Sequence, residues 1–242
     1  MVETAALQVS SFTDRVMRSL ERIDYRLATS TADRERIFNL RYRAYLREGA
    51  IAQSDDERFT DPVDDQPNCL IFGVYADGDL AGSIRLSITV PGLPEIPTAH
   101  VFPDEVLPQI EAGHVLIDPT RFVADLHWSR ELPELAYLTL RLPWLAMEQF
   151  GADIMLAAVR PEHYPFYRRL WGNVMVAPAR RYPGLAKPVM LSQLDHALAA
   201  PRVERLYPFF RAREDERLAI FGASAMPWLA MGASAKAEPL PV

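Results

Sequence analysis

Apolar and polar positions along the chain follow two rhythms, one helical and one typical of strands. Helical spacing over residues 31–48 comes directly after a Ser-Thr-Ala-Asp start signal, so a helix is predicted there. A short strand over 25–28 is expected to precede it. Residues 69–75 and 80–90 read as the two strands of a hairpin, because Asp77-Gly78 between them is a tight-turn signal.

The second half of the chain continues the alternation of strands and helices. Residues 91–113 read as a proline-rich connection. Pro119 interrupts the strand that follows, and because proline is tolerated mainly at edges and bulges, a bulge is expected there. The remaining predicted elements are a strand over 114–123, a helix over 131–150, a buried strand over 154–159, a helix over 162–171, and strands over 173–182 and 187–192 joined by Pro183-Gly184. This order predicts an α/β fold of the α+β type, with a mixed, mostly antiparallel twisted sheet flanked by helices.

Periodicity gives two arginines different surroundings. Arg41 lies on the apolar stripe of the predicted helix and therefore faces the core. A guanidinium in that position needs carboxylate partners or a bound anion, and Asp61 and Asp64 are its natural partners. Arg85 lies on the polar face of the strand over 80–90. It either binds an anion or is a solvated surface residue, depending on whether that face is covered.

Composition narrows the function classes. The chain has 242 residues and 49% hydrophobic content, enough for one sizeable domain. The net charge of −6 provides no broad basic field, so nucleic acid is not an expected partner. The single cysteine, Cys69, excludes an intramolecular disulfide and zinc sites with several thiolates. The five histidines show no metal-ligand spacing, so no metal is expected.

The ends of the chain differ in composition from its centre. We expect a helical arm over residues 1–24, one main domain over 25–195, a helical extension over 196–232 and a disordered tail over 233–242. The sequence does not begin with a basic and then apolar leader, which favours a cytoplasmic location. Apolar residues of the extension have three interpretations: packing on the domain, cover for an acyl tunnel, or peripheral contact with a membrane.

Four short motifs occur in order along the chain, and they combine arginines with carboxylates. They are Arg41-x-x-x-Tyr45, Asp61-Pro-Val-Asp64, Gly82-Ser-Ile-Arg85-Leu86 and Asp118-Pro-Thr-Arg121-Phe122, and a later segment runs from Pro161 to Gly172. Together they resemble N-acyl amino acid synthases of the FeeM type and autoinducer synthases of the LuxI type. The resemblance covers residues 25–195 and implies a GNAT-like acyltransferase.

The resemblance also implies roles for these residues. It makes Asp118, Arg121 and Tyr167 catalytic: Asp118 would assist the acceptor amine, Arg121 would orient a carboxylate or carbonyl, and Tyr167 would protonate the leaving thiolate. The substrate-binding set would be Arg41, Tyr45, Asp61, Asp64 and Arg85. Related proteins more often have glutamate in place of Asp118, so the alternatives are an extra water that bridges the shorter side chain to the amine, or a structural ion pair between Asp118 and Arg121. Packing in the core is the alternative for Tyr167.

The resemblance implies transfer of a fatty acyl chain from a thioester to the α-amine of an amino acid, with no permanently bound cofactor. The chain lacks the Gln/Arg-x-x-Gly-x-Gly/Ala loop that cradles coenzyme A in many GNAT enzymes, which favours an acyl carrier protein thioester over acyl-CoA. Four arginines are available for an acidic carrier: Arg168, Arg169, Arg180 and Arg181. One alternative is an acyl-homoserine lactone synthase using S-adenosylmethionine, although the usual tryptophan after Tyr45 is missing. Another is a noncatalytic acyl- or carrier-binding module. The oligomeric state is not predicted.

Overall fold

The computed structural model describes residues 12–90, 92–93 and 95–222, and its centre is a seven-stranded sheet. The strands are β1 (Ile23–Leu27), β2 (Cys69–Ala76), β3 (Asp79–Ile88), β4 (Leu116–Ala124), β5 (Ile154–Val159), β6 (Val174–Arg180) and β7 (Val189–Asp195). Their order in the sheet is β1-β2-β3-β4-β5-β7-β6, and every neighbouring pair is antiparallel except β4 and β5. The predicted mixed, mostly antiparallel fold is confirmed.

Helices pack against the sheet. They are α1 (residues 12–20), α2 (Thr31–Arg47), α3 (Pro97–Val101), α4 (Pro103–Glu111), α5 (Leu126–Glu131), α6 (Leu135–Gln149), α7 (Tyr164–Trp171), α8 (His196–Leu206) and α9 (Glu214–Phe221). Short 3₁₀ turns occupy Pro62–Asp65, Pro161–His163 and Pro208–Phe210. Within the described part of the chain, no helix has both the length and the apolar character needed to cross a bilayer.

One prediction about secondary structure was wrong. The connection over 91–113 contains α3 and α4, and each begins with a proline at its first turn, Pro97 and Pro103. Proline suits that position because its missing N–H would have no partner there anyway. The helix predicted over 131–150 corresponds to α6, which begins four residues later, at Leu135, after the separate helix α5 has ended at Glu131.

The β2–β3 hairpin was predicted correctly from its turn. Ala76 pairs with Asp79, which leaves Asp77 and Gly78 as a two-residue loop with φ values of +49° and +93°. Positive φ at both central positions matches the twist of the flanking strands, and aspartate followed by glycine tolerates it best. The hairpin therefore aligns β3, the strand that carries Arg85.

The largest apolar cluster lies between the sheet and α6. Ile84, Leu86 and Ile88 of β3 belong to it, together with Trp144 of α6. Helices α8 and α9 and the Pro208–Phe210 turn pack on the same cluster through Val203, Phe209, Phe210 and Phe221. The division of the chain at residues 24 and 195 stays a prediction, and the tail over 233–242 lies outside the described residues.

The sheet opens between β4 and β5. These strands pair only at Leu116–Ile154 and Ile117–Met155. Pro119 lies just beyond, and it has no N–H to donate to a neighbouring strand. β5 meanwhile stays paired with β7 along its whole length. The two central strands therefore separate in the middle of the sheet, and the candidate site lies beside this opening.

Candidate active site

A buried cluster of arginines and aspartates joins α2, the Pro62–Asp65 turn, β3 and β4. Arg41 Nη1 donates to both oxygens of Asp64 at 2.8 and 3.0 Å. Arg85 Nη1 lies 2.6 Å from Asp61 Oδ1 and 3.2 Å from Asp64 Oδ1. Arg121 donates to Asp61 Oδ2 from Nη2 at 2.5 Å and from Nε at 3.2 Å. The structure thus brings together five of the eight predicted site residues.

The turn Pro62–Asp65 holds the two carboxylates in place. The Asp61 side chain accepts from the Val63 amide at 3.0 Å, while Asp64 Oδ2 accepts from the Asp61 amide at 3.1 Å. This reciprocal arrangement is a capping box. Thr60 Oγ1 adds a hydrogen bond of 2.8 Å to Asp64. The loop sequence therefore fixes both acids before any substrate arrives.

The cluster contains one more cation than anion, since three guanidiniums face two carboxylates. Arg41 Nε, Arg41 Nη2 and Arg85 Nη2 are buried, and none of them has a hydrogen-bond partner among the described residues. Burial lowers the pKa of Arg41, and the nearby positive charges of Arg85 and Arg121 lower it further. The carboxylate of Asp64 opposes this change but does not cancel it. Unpaired donors and excess positive charge are the properties of an anion site.

Arg85 is fully buried, so the interpretation as a solvated surface residue is wrong. Its Nε donates to Thr120 Oγ1 at 2.9 Å, which adds a contact to β4. Burial alone would lower the pKa of Arg85, but Asp64 and Asp61 outweigh it and raise the pKa. Arg85 therefore remains a cation at the centre of the cluster.

The bulge predicted at Pro119 lies instead at Arg121. Pro119 pairs in register with Leu86, whereas one residue of β3, Ile84, faces both Arg121 and Phe122. Arg121 has a φ of +54°, a strained value for a residue with a side chain. The extra residue turns Arg121 toward Asp61, on the same side as its neighbour Thr120.

Asp118 has a contact that the sequence did not indicate. Its two oxygens accept from the Thr98 amide at 2.8 Å and the Thr98 hydroxyl at 2.7 Å, and the side chain is fully buried. Burial raises the pKa of Asp118, and these hydrogen bonds oppose the rise. The alternative of an ion pair between Asp118 and Arg121 is wrong, since Arg121 binds Asp61. The catalytic role of Asp118 stays a prediction.

A narrow apolar cavity lies at the opening of the sheet, close to Tyr167. Its volume is about 20 Å³, and it is lined by Ile84, Pro119, Phe122, Leu140, Leu156, Ala157, Val159, Tyr167 and Trp171. Burial raises the pKa of Tyr167, and Tyr45 contributes to the rise. Tyr45 also lies 5.8 Å, ring centre to Cζ, from Arg121. These aromatic residues connect the apolar cavity with the charged cluster.

Two further side chains face the cluster. The ring of Phe59 lies 4.4 Å from Arg121 Cζ, and that of Tyr182 lies 5.9 Å from it. Cys69 is close enough to feel the charges of Arg85 and the aspartates, yet burial raises the pKa of its thiol to about 12. A thiol with such a pKa stays protonated at neutral pH, so Cys69 is a poor nucleophile.

A second group of titratable side chains lies away from this site, between α6 and α8. Glu148, His196 and Glu204 bring one ligand atom each within 4.8 Å of one another, although their sequence spacing gave no sign of it. Arg217 Nη1 already binds Glu148 at 2.7 Å. A guanidinium thus supplies positive charge to this group.

Comparisons with known proteins agree with the fold. FeeM, an N-acyl amino acid synthase from uncultured soil microbes, superimposes with a TM-score of 0.63 at 17% identity, over 78% of this chain and 98% of that chain. The CoA-dependent acyl-homoserine lactone synthase BjaI gives 0.52 at 15% identity, over 82% and 98%. Identities this low show the fold alone. A search of curated proteins finds no match.

The family is established by the sequence itself. A family model for the N-acyl amino acid synthase FeeM matches residues 36–195, which is well over half of the chain. The matched range contains most of α2, the Asp61 and Asp64 turn, and strands β2 to β7. The protein therefore belongs to the FeeM family of N-acyl amino acid synthases and is an N-acyltransferase.

Proposed function

We propose that the enzyme moves a fatty acyl chain from an acyl carrier protein thioester to the α-amine of an amino acid. The observation that carries this proposal is the excess positive charge of the Arg41, Arg85 and Arg121 cluster, with its unpaired buried donors. An amino acid offers a carboxylate one carbon away from its nucleophilic amine. A cationic cluster that binds the carboxylate therefore positions the amine as well.

The acyl chain belongs on the apolar side of the opened sheet. Ile84 and Arg85 are neighbours on β3 and so point to opposite faces of the sheet; Ile84 lines the cavity, and Arg85 lies in the charged cluster. The cavity of about 20 Å³ is too small for a fatty chain. Its walls come from β4, β5, α6 and α7, so we expect these elements to move apart when the donor binds.

The reaction needs no covalent enzyme intermediate. The acceptor nitrogen attacks the thioester carbonyl, the C–N bond forms, and the C–S bond breaks as the tetrahedral intermediate collapses. The amine must lose a proton, which we assign to Asp118, whose buried carboxylate has a raised pKa and is therefore a stronger base than an exposed aspartate. Tyr167, with its raised pKa, is a neutral phenol able to donate a proton to the departing thiolate.

The first helix start after β4 favours a carrier protein over free coenzyme A. Helix N-termini attract phosphate through unpaired N–H groups. Asp125 Oδ1 already accepts from the amides of His127 and Trp128, at 2.8 and 3.4 Å, at the start of α5. This carboxylate disfavours the pyrophosphate of coenzyme A at that position.

The proposal is tested by mass spectrometry of lipid extracts from cells that express the wild-type chain, beside Arg85→Met and a matched Arg213→Met control, whose pair with Asp215 is exposed. A new N-acyl amino acid that depends on Arg85 supports the proposal and identifies both substrates. Acyl-homoserine lactones in the extract would replace it with the S-adenosylmethionine-dependent reaction. Purified enzyme with acyl-carrier and acyl-CoA donors then compares the two thioesters directly.

A further inference from the structure

Tyr182 begins the tight turn between β6 and β7. The Leu185 amide donates to the Tyr182 carbonyl at 3.1 Å. Pro183 and Gly184 form the centre of the turn, and Gly184 has a φ of +76°. Proline followed by a residue of positive φ is the arrangement of a type II turn. The turn therefore fixes the backbone from which the Tyr182 side chain extends.

The same turn is bonded to the C-terminal end of α2. The Ala186 amide donates to the Ala50 carbonyl at 2.9 Å. Lys187 Nζ donates to the Glu48 carbonyl at 2.9 Å. These bonds hold the β6–β7 turn against the helix that supplies Arg41. Tyr182 is thus fixed relative to the charged cluster although it lies 61 residues beyond Arg121, the nearest cluster member in sequence.

The phenol of Tyr182 lies among the charges of the cluster. Its ring centre is 5.9 Å from Arg121 Cζ, and the residue is half-buried. Burial raises the pKa of the phenol; Asp118 and Asp61 add to the rise, while Arg121 and Arg85 oppose it. The hydroxyl is therefore a neutral O–H donor at physiological pH, within range of the cations that the proposed function gives to the acceptor.

We infer that Tyr182 is an acceptor-binding residue whose hydroxyl donates a hydrogen bond to the acceptor carboxylate beside Arg85 and Arg121. The inference rests on the proposed function and adds a residue to the same site. Arg85 and Arg121 share Asp61 and would attract the acceptor carboxylate through their positive charge. The Tyr182 phenol would add one directional hydrogen bond without adding charge. Its half-buried position leaves it open to an incoming ligand, unlike Arg85, which is fully buried.

The test compares Tyr182→Phe with the wild type on free L-amino acids and on their methyl esters, using an acyl carrier protein thioester as donor. The ester keeps the amine and the side chain but lacks the carboxylate. We expect Tyr182→Phe to lower kcat/KM for the free acid by about 10- to 100-fold, the range for a hydrogen bond to a charged group, mainly through KM. The methyl ester should lose less than about 3-fold, because the lost donor has no carboxylate to bind.

A matched control is Tyr164→Phe. The Tyr164 hydroxyl donates to the Asn173 carbonyl at 3.3 Å, outside the cluster, so this variant should leave both acceptors unaffected. An equal loss on acid and ester in Tyr182→Phe would point to a structural role and overturn the inference. An unchanged kcat/KM for the acid would overturn it as well.

A binding measurement separates this inference from the proposed function. If the wild type acylates no amino acid, the proposed function fails, and Tyr182 is then judged by the melting temperature with each free amino acid and each methyl ester. Stabilisation by the acid alone that disappears in Tyr182→Phe supports a carboxylate contact. Stabilisation equal in both proteins, or no stabilisation of the wild type, overturns it.

Discussion

The molecule contains two kinds of buried arginine. Each side-chain nitrogen of Arg141, in α6, has a partner: Nε donates to the Phe209 carbonyl at 2.5 Å, Nη2 to the Arg211 carbonyl at 2.8 Å, and Nη1 to the Glu216 carboxylate at 2.6 Å. Arg85 of β3 is as deeply buried, yet its Nη2 has no hydrogen-bond partner in the described part of the chain.

The difference separates an anchor from a site. The guanidinium of Arg141, with a partner at every nitrogen, stabilises the packing of the C-terminal helices on α6. The unpaired donor of Arg85 destabilises the protein without ligand, because a buried donor that has no partner costs about 1–3 kcal/mol. Selection retains such an unpaired donor when an anion supplies the missing hydrogen bond during function. The comparison predicts that stability and activity will respond oppositely at the two places.

The largest effect on stability is expected at Asp64, which holds two arginines. Asp64→Asn leaves Arg41 and Arg85 without their shared carboxylate inside the protein. Breaking a buried pair by removing one partner costs about 3–5 kcal/mol. Urea unfolding should show this loss, while Asp65→Asn, which breaks only a pair with Arg34 at the surface, should change stability by less than about 1 kcal/mol. Similar losses in the two variants would contradict the expected difference.

Arg85→Met tests the excess charge directly. Removing Arg85 leaves Arg41 with Asp64 and Arg121 with Asp61, so the remaining charges balance. We expect acyl transfer to fall at least about 100-fold, equivalent to about 2.7 kcal/mol of transition-state stabilisation. The free energy of unfolding should fall by less than in Asp64→Asn, because Arg41 keeps Asp64, Arg121 keeps Asp61 and no buried charge is left without a partner. A large loss of stability with retained activity would show that Arg85 has a structural role, like Arg141, and does not belong to the active site.

Arg141→Met should show the opposite pattern. The change removes the donors of two backbone carbonyls, so we expect a loss of about 2 kcal/mol in the free energy of unfolding. The kcat of acyl transfer should stay within about 2-fold of the wild type below the melting temperature. Arg213→Met is the control, since its pair with Asp215 is exposed. A selective fall in kcat in Arg141→Met would assign this anchor to the active site.

The smallest effect concerns pH. Partial burial would raise the pKa of Asp61, but Arg85 and Arg121 outweigh it and hold the pKa at about 2, below the usual aspartate value of 3.8. Because the folded-state pKa is depressed, the contribution to stability is present above about pH 4 and disappears as pH falls toward 2. The stability difference between the wild type and Asp61→Asn should therefore narrow by about 1 kcal/mol between pH 5 and 2.5, after allowance for solvent screening. Parallel curves would show that Asp61 is not coupled to these arginines.

Sequence alone was sufficient where the physical requirement is local. The β2–β3 turn follows from two residues, and the partners of Arg41 follow from the rule that a guanidinium on an apolar stripe needs carboxylates nearby. Asp64 is its partner at 2.8 Å, whereas Asp61, the other predicted partner, pairs with Arg85 and Arg121. The predicted strand over 154–159 matches β5, since a short continuous apolar run is typical of a buried strand.

The parts that sequence could not give depend on distant segments. Prolines at 97 and 103 were interpreted as loop residues, although they begin helices, and so the contact from Thr98 to Asp118 was missed. Tyr182 was missed because only the folded β6–β7 turn brings it beside Arg121. No spacing rule connects residues that meet through the whole width of the sheet.

The bulge at Arg121 has a consequence for how the enzyme can change. On both sides of it, β4 keeps the inward and outward alternation of an ordinary strand, because two residues share one position opposite Ile84. Arg121 is therefore an insertion into a sheet that is complete without it. A deletion at this single codon would leave the facing of every other β4 residue intact and remove one cation of the cluster. In β4, the residues that form the strand and the arginine that contributes to the charged cluster can therefore change independently.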